Sequence, residues 1–277
     1  MKKSIIYSLI ILMAAFYACD PIENRDSNDL PIGADELEVS ATPVVVNGVN
    51  SNKVVLKNMS PVNSEWNYGI GITRKSVDTV LMVVTGPSTI SFTGLNPDGS
   101  YVTKDISVTV DELTFPVPPQ WGLLCGSGSK TWVWDETASS VWGNGGYLGC
   151  YAPCWWTNDK ASMDSNDPDF GSNGSLTFSI SGASLVKSNE SSSNQVSGSF
   201  SFDMSKTTDD GNGGLWAVGK LNTKNVTVLA GKAPNNGDAP IYEYDILQLD
   251  EDKLYLGWPE PGAGAWGTAW FWMYRAQ

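Results

Sequence analysis

The feature that most constrains the fold is a recurring pattern of short alternating segments bounded by turn residues. Apolar and polar side chains alternate in segments such as 37–41 and 106–110, and clusters of Gly, Asn, Asp and Ser lie between such segments. This alternation is typical of half-buried β-strands. No stretch of ten residues shows the periodicity of an amphipathic helix. The sequence therefore predicts an all-β protein.

A proline-rich segment divides the 277-residue chain into two parts of different character. Residues 115–119 read Phe-Pro-Val-Pro-Pro, which predicts a hinge between domains. Before it, turn signals about every ten residues predict a small immunoglobulin-like sandwich over 36–115. After it, over 120–277, lie eleven of the twelve tryptophans and longer Gly/Asn/Ser loops. That part is predicted to be a larger, jelly-roll-like β-sandwich.

The first eighteen residues have the pattern of a signal peptide. Two lysines precede an apolar run that is too short to span a bilayer as a mature helix. The Ala18-Cys19 junction resembles the end of a bacterial lipobox, which implies a lipid-modified Cys19. The acidic, polar stretch 19–35 is predicted to be a flexible stalk. We expect an outer-membrane protein that contacts the membrane only through its lipid anchor; the alternative is ordinary cleavage near Ala18 with an unmodified Cys19.

Histidine is absent and acidic residues predominate, and both facts exclude whole classes of function. Without His there is no Ser-His-Asp or Cys-His nucleophile and no His-ligated zinc. The formal net charge of −13 would repel a phosphate backbone. We therefore expect no nucleic-acid partner.

The aromatic residues of the second part are its most conspicuous functional signal. Sugars rest their C–H faces on flat rings, and their hydroxyl groups need Asn, Asp or Gln partners. Rings that alternate within strands, at 132 and 134 and at 270, 272 and 274, are predicted to be core. Rings in polar loops are the better ligand candidates, with loop packing as the alternative. The predicted ligand-binding residues are Trp142, Trp155, Trp156, Asn158, Asp159, Trp258 and Trp266.

Two resemblances to known families add to this interpretation. Segments 66–69, 92–99 and 104–110 resemble a PKD-type domain, which implies a spacer with Trp66 in its core. Segments 130–135, 142–147, 153–156 and 266–272 resemble the PKD-bearing surface lipoproteins of starch-utilisation-like glycan-capture systems. That resemblance implies an outward-facing, non-catalytic protein that binds oligo- or polysaccharide beside an outer-membrane transporter.

Two other functions compete with glycan binding. One is a cell-surface structural or adhesion protein whose second domain meets another protein. The other is a degenerate glycosidase, because 243–248 resembles the Glu-x-Asp-x-x-Glu strand of family-16 glycoside hydrolases. Gln248 stands where the second Glu of that motif belongs, so the proton donor would be missing. We therefore predict that the protein is not an enzyme.

No cofactor is expected, although the oxygen-rich loops 164–171 and 209–212 leave a structural calcium ion as an alternative to ordinary turn chemistry. An oxidising compartment favours disulfides. Three cysteines follow residue 120, so they cannot all pair within the chain. The pairing among Cys125, Cys150 and Cys154 stays open.

Overall fold

The structure is a computed structural model that describes residues 31–191 and 193–277. The predicted signal peptide, the lipidation site Cys19 and most of the predicted stalk lie outside the described residues. Within them, no helix has the length and apolar character needed to cross a membrane. Strands predominate and the α-helices are short, so the all-β prediction is confirmed.

The first region is a two-sheet β-sandwich. One sheet has the strand order β1-β2-β5 and the other has the order β4-β3-β6-β7. A 3₁₀ turn, Ala34–Glu36, precedes the first strand. The strands are β1 (Val39–Val46), β2 (Val49–Asn58), β3 (Asn63–Asn67), β4 (Ile72–Thr73), β5 (Val77–Leu81), β6 (Gly86–Leu95) and β7 (Tyr101–Val110).

Alternating apolar residues from both sheets meet in the core of this sandwich. Trp66 of β3 is fully buried, and its ring lies 4.6 Å from that of Phe92 on β6. The Trp66 N–H donates to the carbonyl of Lys75, so the buried indole keeps its hydrogen bond. The prediction that Trp66 is a core residue is confirmed.

The predicted hinge segment is fastened to the first region at its beginning. The side-chain amide of Asn52 donates to the carbonyl of Phe115 and accepts from the Phe115 N–H. The ammonium group of Lys53 lies 3.9 Å from the centre of the Phe115 ring. The first region also reaches the second one: Val83, which lies between β5 and β6, packs in the core of the second region. The spacer and binding roles given to the two regions stay predictions.

The second region is built mainly from antiparallel strands. Three 3₁₀ turns lie between them, at Gly171–Asn173, Ser181–Ala183 and Pro234–Asn236. The elements are α1 (Gln120–Cys125), β8 (Ser129–Trp134), β9 (Trp142–Gly146), β10 (Trp156–Asn158), α2 (Met163–Asn166), β11 (Gly174–Ser179), β12 (Ser184–Asn189), β13 (Asn194–Asp203), β14 (Thr208–Asp209), β15 (Leu215–Ala217), β16 (Gly219–Lys224), β17 (Lys232–Ala233), β18 (Ala239–Pro240), β19 (Glu243–Leu249), β20 (Lys253–Pro259) and β21 (Thr268–Ala276).

The topology of this region is a closed meander, not the jelly-roll-like sandwich that the sequence predicted. The order of the large sheet is β10-β9-β21-β20-β19-β16-β13-β12-β11-β8, and β21 also pairs with β8. Eight strands thus close into a barrel, and from β11 onward each barrel strand pairs with the next barrel strand along the chain. The eight are β8, β11, β12, β13, β16, β19, β20 and β21. A jelly roll needs Greek-key crossovers between two sheets. Closure instead pairs both edges with each other, which removes exposed strand edges.

Strands β8 and β9 run along the same edge of β21 as one interrupted strand. β8 pairs with the end of β21 and β9 with its beginning. Between them, the backbone of Met273 bridges the gap: its carbonyl accepts from the Asp135 N–H and its N–H donates to the Val141 carbonyl. The residues between the two strands form an excursion from the barrel wall.

The barrel interior is filled with aromatic side chains. The predicted core rings Trp132, Trp134, Trp272 and Tyr274 are fully buried, and Trp270 is nearly so. The four fully buried rings each donate a hydrogen bond to a backbone carbonyl. These core predictions are confirmed, and the interior is a packed core.

A second, smaller core lies outside the barrel wall. The outward-facing residues Phe271 and Met273 of β21 pack with Trp216, which lies on β15 in the connection between β13 and β16. The β9–β10 connection covers the same face. A disulfide between Cys150 and Cys154 closes that connection, and the Trp216 N–H donates to the Cys150 carbonyl. Cys125 is free and buried, which settles the pairing left open above.

Candidate functional site

Strand register brings a row of large side chains together at one end of the barrel. Trp258 lies opposite Trp270, Trp270 opposite Asn144, and Asn144 opposite Trp156, across β20, β21, β9 and β10. Residues that lie directly opposite in antiparallel strands point to the same face of the sheet. Because Trp270 points into the barrel core, this row lies on the inner face of the wall, where the strands end.

Trp156 covers two buried rings in this row. Its centroid lies 5.3 Å from that of Trp142 and 5.8 Å from that of Trp270, and the latter two are 5.4 Å apart. Trp142 and Trp270 are 1% and 3% exposed, whereas Trp156 is 43% exposed. Trp156 is therefore the solvent-facing member of a cluster of three tryptophan rings, and it meets the other two edge-to-face.

Trp266 is the most exposed tryptophan that the structure describes, at 62% of its surface. Its ring lies flat on two glycines: a Cβ added at Gly146 would come within 2.5 Å of the ring, and one at Gly149 within 2.6 Å. The opposite face of the ring points to solvent. Gly146 follows Asn144 by two residues on β9, so Trp266 lies on the same face of the sheet as Trp156.

The backbone of Trp266 is held in an uncommon conformation. Its φ is 62°, in the left-handed region that a bulky residue seldom occupies. The Trp266 N–H donates to the carbonyl of Tyr147 at 2.8 Å, which ties the β20–β21 loop to the β9–β10 loop. Strained conformations of this kind persist where the surrounding structure determines them and often accompany function.

Polar groups accompany these rings. The side-chain carbonyl of Asn144 accepts from the Trp156 N–H at 3.1 Å. One carboxylate oxygen of Glu260, Oε1, accepts from the Trp270 indole at 3.1 Å and from the Asn235 amide at 2.7 Å. We call this group the rim site: Asn144, Trp156, Asn235, Glu260, Trp266 and Trp270.

The rim site is about as wide as one or two sugar rings. The Glu260 N–H bonds the Thr268 carbonyl, and Thr268 lies opposite Gly146, on which Trp266 rests. Neighbouring strands lie about 4.8 Å apart, so β20 and β9 are separated by about 10 Å. The site thus has a flat apolar element at one side and a hydrogen-bonding carboxylate at the other.

The structure separates the remaining predicted ligand residues from this site. Trp155 is 52% exposed and lies at a bend just before β10, and among the described residues its ring forms no ring pair with Trp156 or Trp270. Trp258 is half-buried against the barrel core, at the edge of the row.

Three of the predicted ligand residues form structural contacts: burial corrects the prediction for Trp142 and Asn158, whereas Asp159 is exposed and its ligand role stays a prediction. Trp142 is core, because the glycines around it form strand β9 and not an open loop. Asn158 is buried and bonds the carbonyl of Trp142 and the amide of Asn166. Asp159 accepts from the Ser162 N–H and hydroxyl before α2, and the Ser162 hydroxyl lowers its pKa.

Sequence reasoning missed four members of the rim site: Asn144, Asn235, Glu260 and Trp270. Trp270 was assigned to the core, which is correct for its ring but overlooks its N–H. The other three are ordinary turn or strand residues in the sequence. These residues can be identified only from cross-strand register and loop placement. Register, for example, places Trp270 opposite Asn144, more than a hundred positions away in the sequence.

The carboxylates of the hydrolase alternative have a shared cationic partner. Glu243 and Asp245 on β19 each lie 3.1 Å from the ammonium group of Lys220. Burial raises the pKa of Asp245, and Lys220 opposes that shift. Gln248, at the position of the missing Glu, donates to Asp250. One cation thus pairs with both carboxylates and offsets one of their two negative charges.

The two oxygen-rich loops use their carboxylates as turn acceptors. Asp164 accepts from the Ser172 N–H, and Asp210 accepts from the N–H groups of Asn212 and Gly214. Across residues 31–191 and 193–277, no group of three or more His, Cys, Asp or Glu side chains could hold a metal ion.

Comparison with known proteins yields weak structural similarities only. No family model matches the chain. No curated protein matches it either. The PKD1 domain of Vibrio anguillarum Epp matches 27% of this chain and 93% of its own at 13% identity, and that of the Vibrio cholerae metalloprotease PrtV matches 27% and 95% at 16%; both TM-scores are 0.23.

A third solved structure aligns with most of the chain. Its description concerns the promiscuous specificity of carbohydrate-binding modules from the β-sandwich superfamily. It matches 87% of this chain and 90% of its own, at 9% identity and a TM-score of 0.23. The chain thus has weak structural similarity to PKD domains and to a carbohydrate-binding module.

Proposed function

We propose that this protein is a non-catalytic glycan-binding protein and that the rim site holds the sugar. The observation that carries the proposal is the Trp266 ring, which is seated flat on Gly146 and Gly149 with its other face open to solvent. An indole face of this kind offers the C–H surface of a sugar ring a complementary apolar plane. The Trp156 ring adds a second exposed aromatic surface on the same side of β9.

The polar groups of the site suit a polyhydroxylated ligand. The Asn144 side-chain NH₂ and the second carboxylate oxygen of Glu260, Oε2, have no hydrogen-bond partner among the described residues. A sugar hydroxyl both donates and accepts, so it can satisfy either group. Rings for the C–H faces and amide and carboxylate groups for the hydroxyls together form a site for a saccharide.

The absence of catalysis is part of the proposal. Glycoside hydrolysis uses two carboxylates that flank the scissile bond. The rim site contains one carboxylate, Glu260. Glu243 and Asp245, which resemble part of a hydrolase motif, are paired with Lys220 and lie on a different strand.

We further propose that the protein is anchored at the cell surface through a lipidated Cys19 and captures glycan for an outer-membrane uptake system. This part rests on the sequence pattern of residues 1–35. The first sandwich would act as a spacer that raises the barrel from the membrane. Cys19→Ala should then move the protein from the outer-membrane fraction to the soluble fraction, with Ser27→Ala as the control. A Cys19→Ala variant that still sediments with the outer membrane would contradict the anchor.

Two exposed tryptophans, Trp266 at 62% and Trp155 at 52%, allow a matched test of the site. Purified residues 20–277 would be screened on a glycan array, and the affinity of the best ligand measured by calorimetry. Trp266→Ala should weaken binding by about 1–3 kcal/mol, roughly five- to hundredfold in Kd, because a stacking surface is lost.

Trp155→Ala, the control, removes a ring of similar exposure that forms no ring pair with the rim-site tryptophans, and should leave the Kd unchanged. The melting temperature of both variants should stay near that of the wild type. Normal binding by Trp266→Ala, or release of reducing sugar by the wild type, would overturn the proposal.

A further inference from the structure

Glu260 is held in one orientation by neutral donors. The Trp270 indole and the Asn235 amide both donate to its Oε1. Within residues 31–191 and 193–277 it forms no ion pair, and Oε2 accepts no hydrogen bond. In the loop that carries Asn235, Lys232 is paired with Asp238 at 3.1 Å. The carboxylate therefore presents uncompensated negative charge to whatever occupies the rim site.

The neighbouring amides indicate which chemical groups match this carboxylate. One sugar hydroxyl can donate to Glu260 Oε2 while another accepts from the Asn144 NH₂ group. Ammonium groups only donate, so in place of these hydroxyls they leave the Asn144 donor unsatisfied. A carboxylate or sulfate ester can only accept, so it leaves Glu260 unsatisfied and repels it.

We propose that Glu260 makes the rim site selective for uncharged glycans and excludes uronic acid and sulfated chains. This inference rests on the proposed function and adds its ligand class. The formal charge of −13 on the whole chain acts in the same direction, because it repels a polyanion before contact. Repulsion by Glu260 differs from this long-range repulsion because it acts at contact distance. Substitution of that one side chain also removes it.

The test compares one polysaccharide in two charge states. The probe is a neutral glucan bound by the wild type, together with the same glucan after oxidation of its primary hydroxyls to carboxylates; polygalacturonate and chondroitin sulfate extend the series. We expect the oxidised glucan to bind the wild type about tenfold or more weakly than its parent at low salt. In about 1 M salt, where the Debye length is about 3 Å, this gap should narrow.

Glu260→Gln keeps a carbonyl oxygen for Trp270 and Asn235 and removes the charge. It should weaken binding of the parent glucan by about threefold, because one charge-assisted hydrogen bond becomes neutral. It should also bring the oxidised glucan close to the parent in affinity. Glu243→Gln, which removes the same charge from an exposed side chain on β19, is the matched control and should leave the gap unchanged.

The outcomes separate this inference from the proposed function. Equal binding of neutral and oxidised glucan by the wild type overturns the selectivity, and so does a Glu260→Gln variant that discriminates as the wild type does. If both glucans bind the wild type equally and Trp266→Ala weakens both, the glycan site stands and only the selectivity fails. If no neutral or anionic chain binds the wild type, both proposals fail.

Discussion

The tryptophans of the barrel interior and those of the rim site differ in what holds them in place. In the interior, Trp132, Trp134 and Trp272 are surrounded by apolar side chains, and each N–H reaches a backbone carbonyl. At the rim, Trp156 and Trp266 contact neighbouring residues but stay 43% and 62% exposed. The tryptophans of this region therefore fall into two groups, one that fills the core and one that the proposed function assigns to the ligand.

The largest effect expected from this comparison is on stability. Trp134→Ala removes a fully buried ring and its hydrogen bond to Gly171, and should lower the free energy of unfolding by about 3–5 kcal/mol. Chemical denaturation measures this change. At a temperature where the variant is folded, its Kd for glycan should match the wild type. A large loss of affinity in a folded Trp134→Ala protein would show that interior and rim are not independent.

An intermediate effect is expected from moving the Trp266 ring without altering it. A methyl group at Gly149 would lie 2.6 Å from the indole, so Gly149→Ala should displace the ring and weaken binding by about 1 kcal/mol, roughly fivefold. Gly264→Ala, in the same loop as Trp266, meets nothing within 4 Å and serves as the control. Equal affinity of these two variants would contradict the role of the glycine seat.

The smallest effect is expected at the disulfide. Replacing Cys150 and Cys154 by Ser frees the connection that leads into Trp156, while the bond between its N–H and Asn144 remains. The cost in stability should be about 2 kcal/mol or less, because the closed loop is short. Ordering the loop on binding should weaken affinity by about threefold. Calorimetry on the wild type with and without reductant measures the same change in Kd. An unchanged Kd would limit the disulfide to a structural role.

The strand content and much of the core were predictable from the sequence. Alternation within 269–274 is local, so it identified Trp270, Trp272 and Tyr274 as residues of one face, and the structure buries all three. The closed meander was not predictable in the same way. Strand order depends on pairings such as that of β8 with β21, which join residues far apart in sequence and leave no local pattern.

The site was only partly predictable for the same physical reason. The structure exposes Trp155, Trp156 and Trp266, three of the rings in polar segments that the sequence offers as ligand candidates, and half-buries the fourth, Trp258. Which of these rings share a site depends on strand register and on the bend at Trp155, neither of which the local sequence shows. Trp142 was misjudged because its flanking glycines indicate a loop, whereas they belong to strand β9.

The pairing of β21 with β20, β8 and β9 has a consequence for how the chain folds while it is being made. β21 supplies Trp270, Trp272 and Tyr274 to the core and completes the barrel wall, so the wall cannot close until synthesis has passed residue 276. Contacts between β8 and β21 span more than a hundred residues, and such contacts form slowly. A nascent chain that lacks β21 therefore has an open wall, in which the edges of β20 and β8 wait for their shared partner.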